Sequence, residues 1–475
     1  MGKLIDAIQA DDKFTENGMI TNSTSLNACV DMFSRIGAMR NESNNTVINL
    51  FVKAIEEDAL VALKLLFWAR DVRGGAGERK IFRTIISYLA ENRPEVLKKN
   101  INIISEFGRW DDLFSLIGTP VEAEALTVIE SGLRNKNGLL AKWLPRPNVS
   151  NAVKKNQAKI VRNKLKLSPK YYRKLLVELS NTVEQKMCAN KWNEIKYEHV
   201  PSKAMSDYMK TFGRHDHAGF TEYLNSVQKG ESKINAGAVY PYDIIKNLNN
   251  GDSNGASLQW NALPNYLEDN QERLLPLVDV SGSMSCSAGD SKNLTCLDVA
   301  ISLGLYISER NVGVFKDAFI TFSSSPELII TKGSLKDRYR QMSTSNWCMS
   351  TNLQAAYSLI LRKAIANKVP QSEMPTTILI LSDMQFNSAT SWSNKAQKMV
   401  KEMFSEAGYE LPKIVYWNLN ARNQDSPVKF DENGTGLVSG FSPSLLKTIL
   451  SGKNITPYDM MMDTISVPRY DVVTV

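Results

Sequence analysis

The stretch LLPLVDVSGSM, residues 274–284, decides how the second half of this chain is read. Leu274 to Val280 is a short apolar run without alternation, as expected of a strand buried on both faces in the middle of a parallel sheet. It gives way to Asp279, Ser281 and Ser283 around Gly282, and CLDVAISLGLYISER (296–310) follows with helical spacing. Further downstream, AFITFSS (318–324), TTILILSD (376–383) and KIVYWNL (413–419) predict strands. LQAAYSLILRKAIA (353–366) and the segments 393–407 and 443–451 predict helices between and after them. Strands alternating with helices call for right-handed crossovers and a doubly wound, Rossmann-like α/β sheet.

Upstream of Arg273 the pattern changes to helix after helix. TVINLFVKAIEEDALVALKLLFWARD (46–71) carries apolar residues at helical spacing, and further amphipathic runs begin near Arg79, Pro94, Trp110 and Val121. Alternating strand patterns are nearly absent, so the expected architecture is an all-α helical repeat, a HEAT-like solenoid or ring, although no fixed period stands out. Residues 229–272 are rich in Gly, Asn, Ser and Pro. The chain therefore divides into a helical domain over 1–240, a linker over 241–272 and the α/β domain over 273–475. The 475 residues are in any case too many for one hydrophobic core. After Arg70, the run Asp71-Val72-Arg73-Gly74-Gly75 predicts a turn between two packed helices. Gly74 and Gly75 would allow positive φ after the helix end, and the arginines either face a nucleic acid or, as the favoured reading, pair with Asp71 and Glu78.

Composition excludes several classes. No stretch approaches the ~18 uninterrupted apolar residues of a membrane span. The start, MGKLIDAIQADDKF, lacks the apolar centre of a secretory signal, and Asp6 breaks the myristoylation pattern despite Gly2. The five cysteines, Cys29, Cys188, Cys286, Cys296 and Cys348, show no C-x-x-C spacing, which predicts reduced thiols and a cytoplasmic protein rather than a disulfide framework or zinc site. The three histidines are His199, His215 and His217, and His215-Asp216-His217 reads as a turn or helix end.

The formal charge of +7 is unevenly spread. Residues 1–250 hold 37 Lys and Arg against 28 Asp and Glu, whereas the rest of the chain holds 20 against 22. Between Ser131 and Val177 there are 13 basic residues and no acidic one. Cations without counter-charges neutralise phosphates, and interleaved aromatics can stack on unpaired bases. This makes Lys142, Arg146, Lys154, Lys155, Lys159, Arg162, Lys164, Lys166, Arg173 and Lys174 the candidate RNA-contacting residues. Trp143, Tyr171 and Tyr172 fit a helical core as well as a stacking role, and a solvated basic face is the competing reading of the run itself.

In an open α/β sheet, ligands bind outside the carboxyl ends of the strands, where strand order reverses. Asp279-Val280-Ser281-Gly282-Ser283, Ser350-Thr351-Asn352 and Ser382-Asp383 all fall at strand ends or in adjacent loops. Carboxylate and hydroxyl oxygens suit a hard divalent cation such as Mg²⁺. The alternative is a strand-to-turn junction with capping serines. A nucleophilic serine has no histidine in this half to activate it.

The D-x-S-x-S signature, directly after a buried strand and before a helix, resembles the metal-ion-dependent adhesion site of von Willebrand factor A-type domains. That resemblance implies that Asp279, Ser281, Ser283 and Thr351 line the ion, with Asp383 acting directly or through water. Met384 stands where a glycine is common in that family. A position left open on the ion would accept an acidic group from a protein partner. Helical repeats followed by such a domain are similar to the Ro autoantigen ribonucleoproteins and their telomerase, Ro and vault relatives, and FGRWDDLFSLI (107–117) looks like the tryptophan-centred helix start of that group. The stretches FWARDVRGGAGERKIFR (67–83), AKWLPR (141–146), KINAGAVYP (233–241), STNLQAA (350–356) and LILSDMQF (379–386), with VPSKAM and GRHDH between 200 and 217, resemble more closely a family of plants, viruses and phages with the same layout. The Ro resemblance implies a ring of helices that holds RNA, closed by the A-type domain, in a non-enzymatic protein. An ion-dependent protein-interaction scaffold without RNA is the alternative. A metal-activated hydrolase is the weaker one, because no second carboxylate cluster or general base accompanies the site.

Overall fold

The computed structural model describes residues 12–249, 253–289, 294–322, 325–345, 351–388, 395–451 and 456–475. Gly2, Asp6, Cys348, Ser350 and the first residues of the helix expected over 393–407 lie outside them, as does part of AFITFSS. The carboxyl-terminal half is built on a six-stranded sheet. Its strands are β3 (Leu274–Asp279), β4 (Ala318–Phe322), β5 (Glu327–Ile330), β6 (Thr377–Ser382), β7 (Lys413–Asn418) and β8 (Thr435–Ser439), in the order β5-β4-β3-β6-β7-β8. All neighbours are parallel except β5, which runs antiparallel on β4. The expected parallel sheet is thus a mixed one. β5 (ELII) leaves Leu328 and Ile330 exposed at the edge, so it lacks the two-sided burial that betrays the central strands. β3 and β6 are buried at every position, and the helices Cys296–Arg310 and Leu353–Ala366 span the predicted ranges. The sequence reading missed β8 and the helices Leu335–Ser343 and Pro457–Ile465.

The amino-terminal half is helical apart from a short antiparallel pair, β1 (Asp12–Phe14) and β2 (Ile20–Asn22). Its helices are short and capped by local side chains. Ser43, Asp58, Asn137, Asn151 and Ser168 each accept a backbone N–H at a helix start, which satisfies donors the helix cannot. Residues 195–234 enclose their own apolar cluster around Tyr197, Met205, Met209, Phe212 and Phe220. In that module Asp216 caps the helix His217–Gln228, and His215 stacks on Trp192 at 4.4 Å, so the His215-Asp216-His217 motif is a helix junction.

The other apolar core is continuous from Met19 to Val473, and the two halves interlock. The Ser426 and Asn22 backbones exchange hydrogen bonds of 2.8 and 3.0 Å, and the Ser439 hydroxyl donates to the Phe33 carbonyl while accepting the Gly37 N–H. The carboxyl terminus returns to the helices. Arg469 and Tyr470 both bond the buried Asp71 carboxylate, and Asn100 pairs with the backbone of Thr474. The stretch expected as a linker carries the helices Pro241–Asn249 and Ser253–Asn261. Ile244, Ile245, Leu248, Ala256 and Trp260 bury there, and Arg310 donates to the Trp260 carbonyl at 2.8 Å. Residues 250–252 between them lie outside the described residues. The Gly- and Asn-rich composition obscured an apolar face that needs tertiary partners to be recognised. Among the described residues no helix is long and apolar enough to cross a membrane.

The turn after Arg70 also differs from expectation. Positive φ falls at Gly77 (+72°), not at Gly74 or Gly75. Gly75 is demanded by closeness instead: a Cβ there would lie 1.9 Å from the Trp68 carbonyl oxygen. The guanidinium groups find other partners than Asp71 and Glu78, since Arg70 pairs with Asp112 at 2.7 Å, Arg73 reaches the Glu106 carbonyl and Glu78 pairs with Arg40, while the Arg73 backbone N–H bonds Asp71 at 3.0 Å. Gly75→Ala is therefore expected to cost about 1–3 kcal/mol, as overpacking does, while Gly74→Ala, whose nearest neighbour is 3.3 Å away, should cost much less. Paired urea denaturation curves check this, and equal midpoints would remove the close-approach explanation.

Candidate functional site

β3 and β6 are neighbours although β4 and β5 intervene in sequence, so strand order reverses between them. Asp279 ends β3 and Asp383 directly follows β6, which places both carboxylates at the crevice outside the strand ends. Ser382 donates to Asp279 Oδ2 at 2.6 Å and the Ser281 N–H donates to Oδ1 at 2.9 Å. The Ser281 and Ser283 hydroxyls lie 3.0 Å apart. Asp279 and Thr351 are fully buried, and Ser281 and Asp383 nearly so. Burial, with the Asp383 charge beside it, pushes the Asp279 carboxyl up to about 7. Asp383 is also raised by burial, and the hydroxyl of Ser283 and the Arg422 guanidinium hold it back.

Thr351 sits at the start of the helix Leu353–Ala366. Its loop is tied to the β6 loop by two bonds to Asn387, of 3.1 and 2.8 Å. The Thr351 hydroxyl itself is buried with no hydrogen-bond partner among the described residues, which normally costs about 1–3 kcal/mol. Two carboxylates raised chiefly by burial, serine hydroxyls beside them and a threonine oxygen without a partner among the described residues together form an oxygen set suited to a hard cation. Among the described residues no group of three or more His, Cys, Asp or Glu side chains stands together.

Two neighbours of this site carried no sequence signal. Arg422 lies 3.4 Å from Asp383 and also pairs with Glu16, whose segment closes over the β6 loop through Thr15 to the Phe386 carbonyl and the Glu16 N–H to Gln385. Cys286 and Cys296 have their sulfurs 3.5 Å apart, and the hydrogen bond between them lowers the Cys286 thiol to about 7. Both depend on residues far apart or in separate elements, which no local pattern reveals.

The basic run folds into the helices Gly138–Trp143, Ala152–Lys164 and Pro169–Ser180. Lys154, Lys155, Lys159, Lys164, Lys166, Arg173 and Lys174 are exposed, and Lys155, Lys159 and Arg162 share one side at i, i+4 and i+7. Arg162 is half-buried and bonds Asn163. Two of the predicted residues are committed elsewhere. Lys142 pairs with Glu184 at 3.1 Å, and half-buried Arg146 reaches the Ala141 carbonyl and Ser180. Tyr172 is core and Trp143 lies under the Arg109 guanidinium at 3.9 Å, so only Tyr171 of the three aromatics is open to a ligand.

The fold thus defines a class: a helical amino-terminal half interlocked with a mixed six-stranded α/β domain that gathers buried oxygen side chains at its switch point. The chain belongs to the family of the "Domain of unknown function (DUF2828)", whose model matches residues 15–138 and 139–273, more than half of its length. A second model, "Domain of unknown function (DUF7788)", matches residues 274–467. The uncharacterized protein L728 of Acanthamoeba polyphaga mimivirus is similar over 94% of this chain and 86% of its own, at 29% identity. A solved structure, the proximal thread matrix protein 1 of the mussel byssus, overlaps 38% of this chain at 15% identity with a TM-score of 0.25, and the chain spans 46% of that protein's length.

Proposed function

We propose that this protein holds RNA on the exposed basic face of residues 139–174. In this reading the sheet domain is a von Willebrand factor A-type fold that binds Mg²⁺ or a similar cation, and the architecture is Ro-like. Seven exposed cations, Lys154, Lys155, Lys159, Lys164, Lys166, Arg173 and Lys174, have no carboxylate partner among the described residues, and this observation carries the RNA reading. An ordinary solvated face intersperses acids, because like charges crowded together repel. Here folding brings Glu184 to the run, and it goes to Lys142, while Glu130 goes to Arg134. Asp279, Ser281, Ser283, Thr351 and Asp383 would hold the cation, which would ionise both carboxylates and give the Thr351 oxygen a partner.

Replacing Lys154, Lys155, Lys159 and Arg162 together with Ala is expected to weaken binding of all RNA sequences alike. It should also flatten the log–log salt dependence by up to about one unit per lost phosphate contact. Ser283→Ala should leave RNA affinity alone, since it touches only the ion site. Filter binding over a salt series checks both. Unchanged affinity and slope in the fourfold variant would sink the assignment. The buried oxygen set favours, as a second reading, an ion-dependent scaffold for an acidic protein partner, and this is what remains if the wild type binds no RNA at low salt.

A further inference from the structure

We infer that the cavity between the turn after Arg70 and the chain around Tyr240 binds a small phosphate-bearing ligand of mononucleotide size. The cavity holds about 350 Å³, at the low end of the ~300–1,000 Å³ usual for small-molecule sites. Seven basic side chains and two carboxylates line it. Both carboxylates are spent, Glu78 on Arg40 and Asp243 on Lys203. Arg70 and Arg109 are neutralised from behind the wall by Asp112 and Asp111.

Three cations are left over. Among the described residues, the Lys80 ammonium reaches the carbonyls of Arg40 and Glu42 alone, and the Arg73 guanidinium that of Glu106. The Arg79 guanidinium makes no hydrogen bond or ion pair among the described residues. Arg79 stands at the first position of the helix Arg79–Asn92, which has no acid in its first turn and no side-chain cap. A cation there opposes the helix dipole. Burial and the neighbouring Arg109, Arg83 and Arg70 charges lower its proton affinity further. Arg73, Arg79 and Lys80 are exposed and have no carboxylate partner among the described residues, so a phosphate in the cavity would meet uncommitted cations, and guanidinium forks match phosphate oxygens. Tyr240 and Tyr242, stacked at 5.2 Å, also line the cavity and bound the space a base or sugar would occupy.

None of the residues lining this site belongs to the basic helices, and its test separates the two. Isothermal titration at low salt with inorganic phosphate, a nucleoside 5′-monophosphate and the bare nucleoside should show binding of the first two only. Arg73→Ala/Arg79→Ala should weaken it at least tenfold without loss of fold, because neither side chain has a carboxylate partner to strand. The fourfold variant of the basic helices should bind the monophosphate as the wild type does. A 5′-phosphorylated oligoribonucleotide that outcompetes its 5′-hydroxyl form in the wild type, and not in the double variant, identifies an RNA end as the source. Equal competition identifies the free nucleotide. The inference is overturned if neither phosphate nor the monophosphate binds at millimolar concentration, or if binding survives the double substitution.

Discussion

Asp112→Ala is expected to destabilise the protein by about 3–5 kcal/mol, the cost of stranding one partner of a buried ion pair. Asp112 is fully buried, and its carboxylate accepts from Arg70 at 2.7 Å, Arg83 at 2.6 Å and the Arg109 N–H at 2.9 Å. The Arg70 side chain is 2% exposed, so no water replaces the lost acceptor. Gly108 belongs to the same node, since a Cβ there would lie 2.3 Å from the Asp112 carboxylate and 2.6 Å from Arg70. The Gly108-Arg109-Trp110-Asp111-Asp112 motif is thus a structural clamp between the helices Ala59–Arg70 and Arg79–Asn92. Urea denaturation measures the loss. Asp112→Asn, which keeps an acceptor but no charge, should fall between the two, and a loss below about 1 kcal/mol for Asp112→Ala would show that the clamp is dispensable.

Mg²⁺ is expected to stabilise the wild type by about 2.7 kcal/mol at a hundredfold excess over its dissociation constant, and Asp279→Asn to abolish that response. The ion-free protein should behave in the opposite sense. Folding raises the Asp279 carboxyl from 3.8 to about 7, so the native state holds a proton that the unfolded chain has released. Between about pH 4 and pH 7 the stability of the chelated protein should therefore fall as pH rises. Below that window both states are protonated and the effect vanishes. Asp279→Asn removes this ionisation and should be more stable than the chelated wild type at neutral pH. Thermal denaturation with and without chelator across the pH range reads both effects, and an Asp279→Asn protein still stabilised by Mg²⁺ would exclude the site.

How much of this was open to reading from the residues follows from range. β3, β6 and β7 announced themselves because burial on both faces leaves an unbroken apolar run, and the helices Cys296–Arg310 and Leu353–Ala366 because their apolar positions recur within a few residues. Asp279, Ser281 and Ser283 share one loop, so their convergence is local, and the acid-free basic run is a matter of composition. The edge strand β5 and the small β8 (TGLVS) have no such pattern. The helices inside the supposed linker exist by virtue of what Trp260 and Ile244 pack on, and Lys142 differs from Lys154 in that Glu184 folds back to it. Gly75 was read as a φ requirement, whereas its constraint is a neighbouring carbonyl that only the folded chain brings near. The bond between Asp71 and Arg469, 398 residues apart, and the cavity assembled from the turn after Arg70, Lys203 and Tyr240 are further from local reach. Periodicity and composition act over a few residues and are written in the sequence, whereas charge partners and cavities are set by chain segments meeting in space, which tertiary packing alone decides.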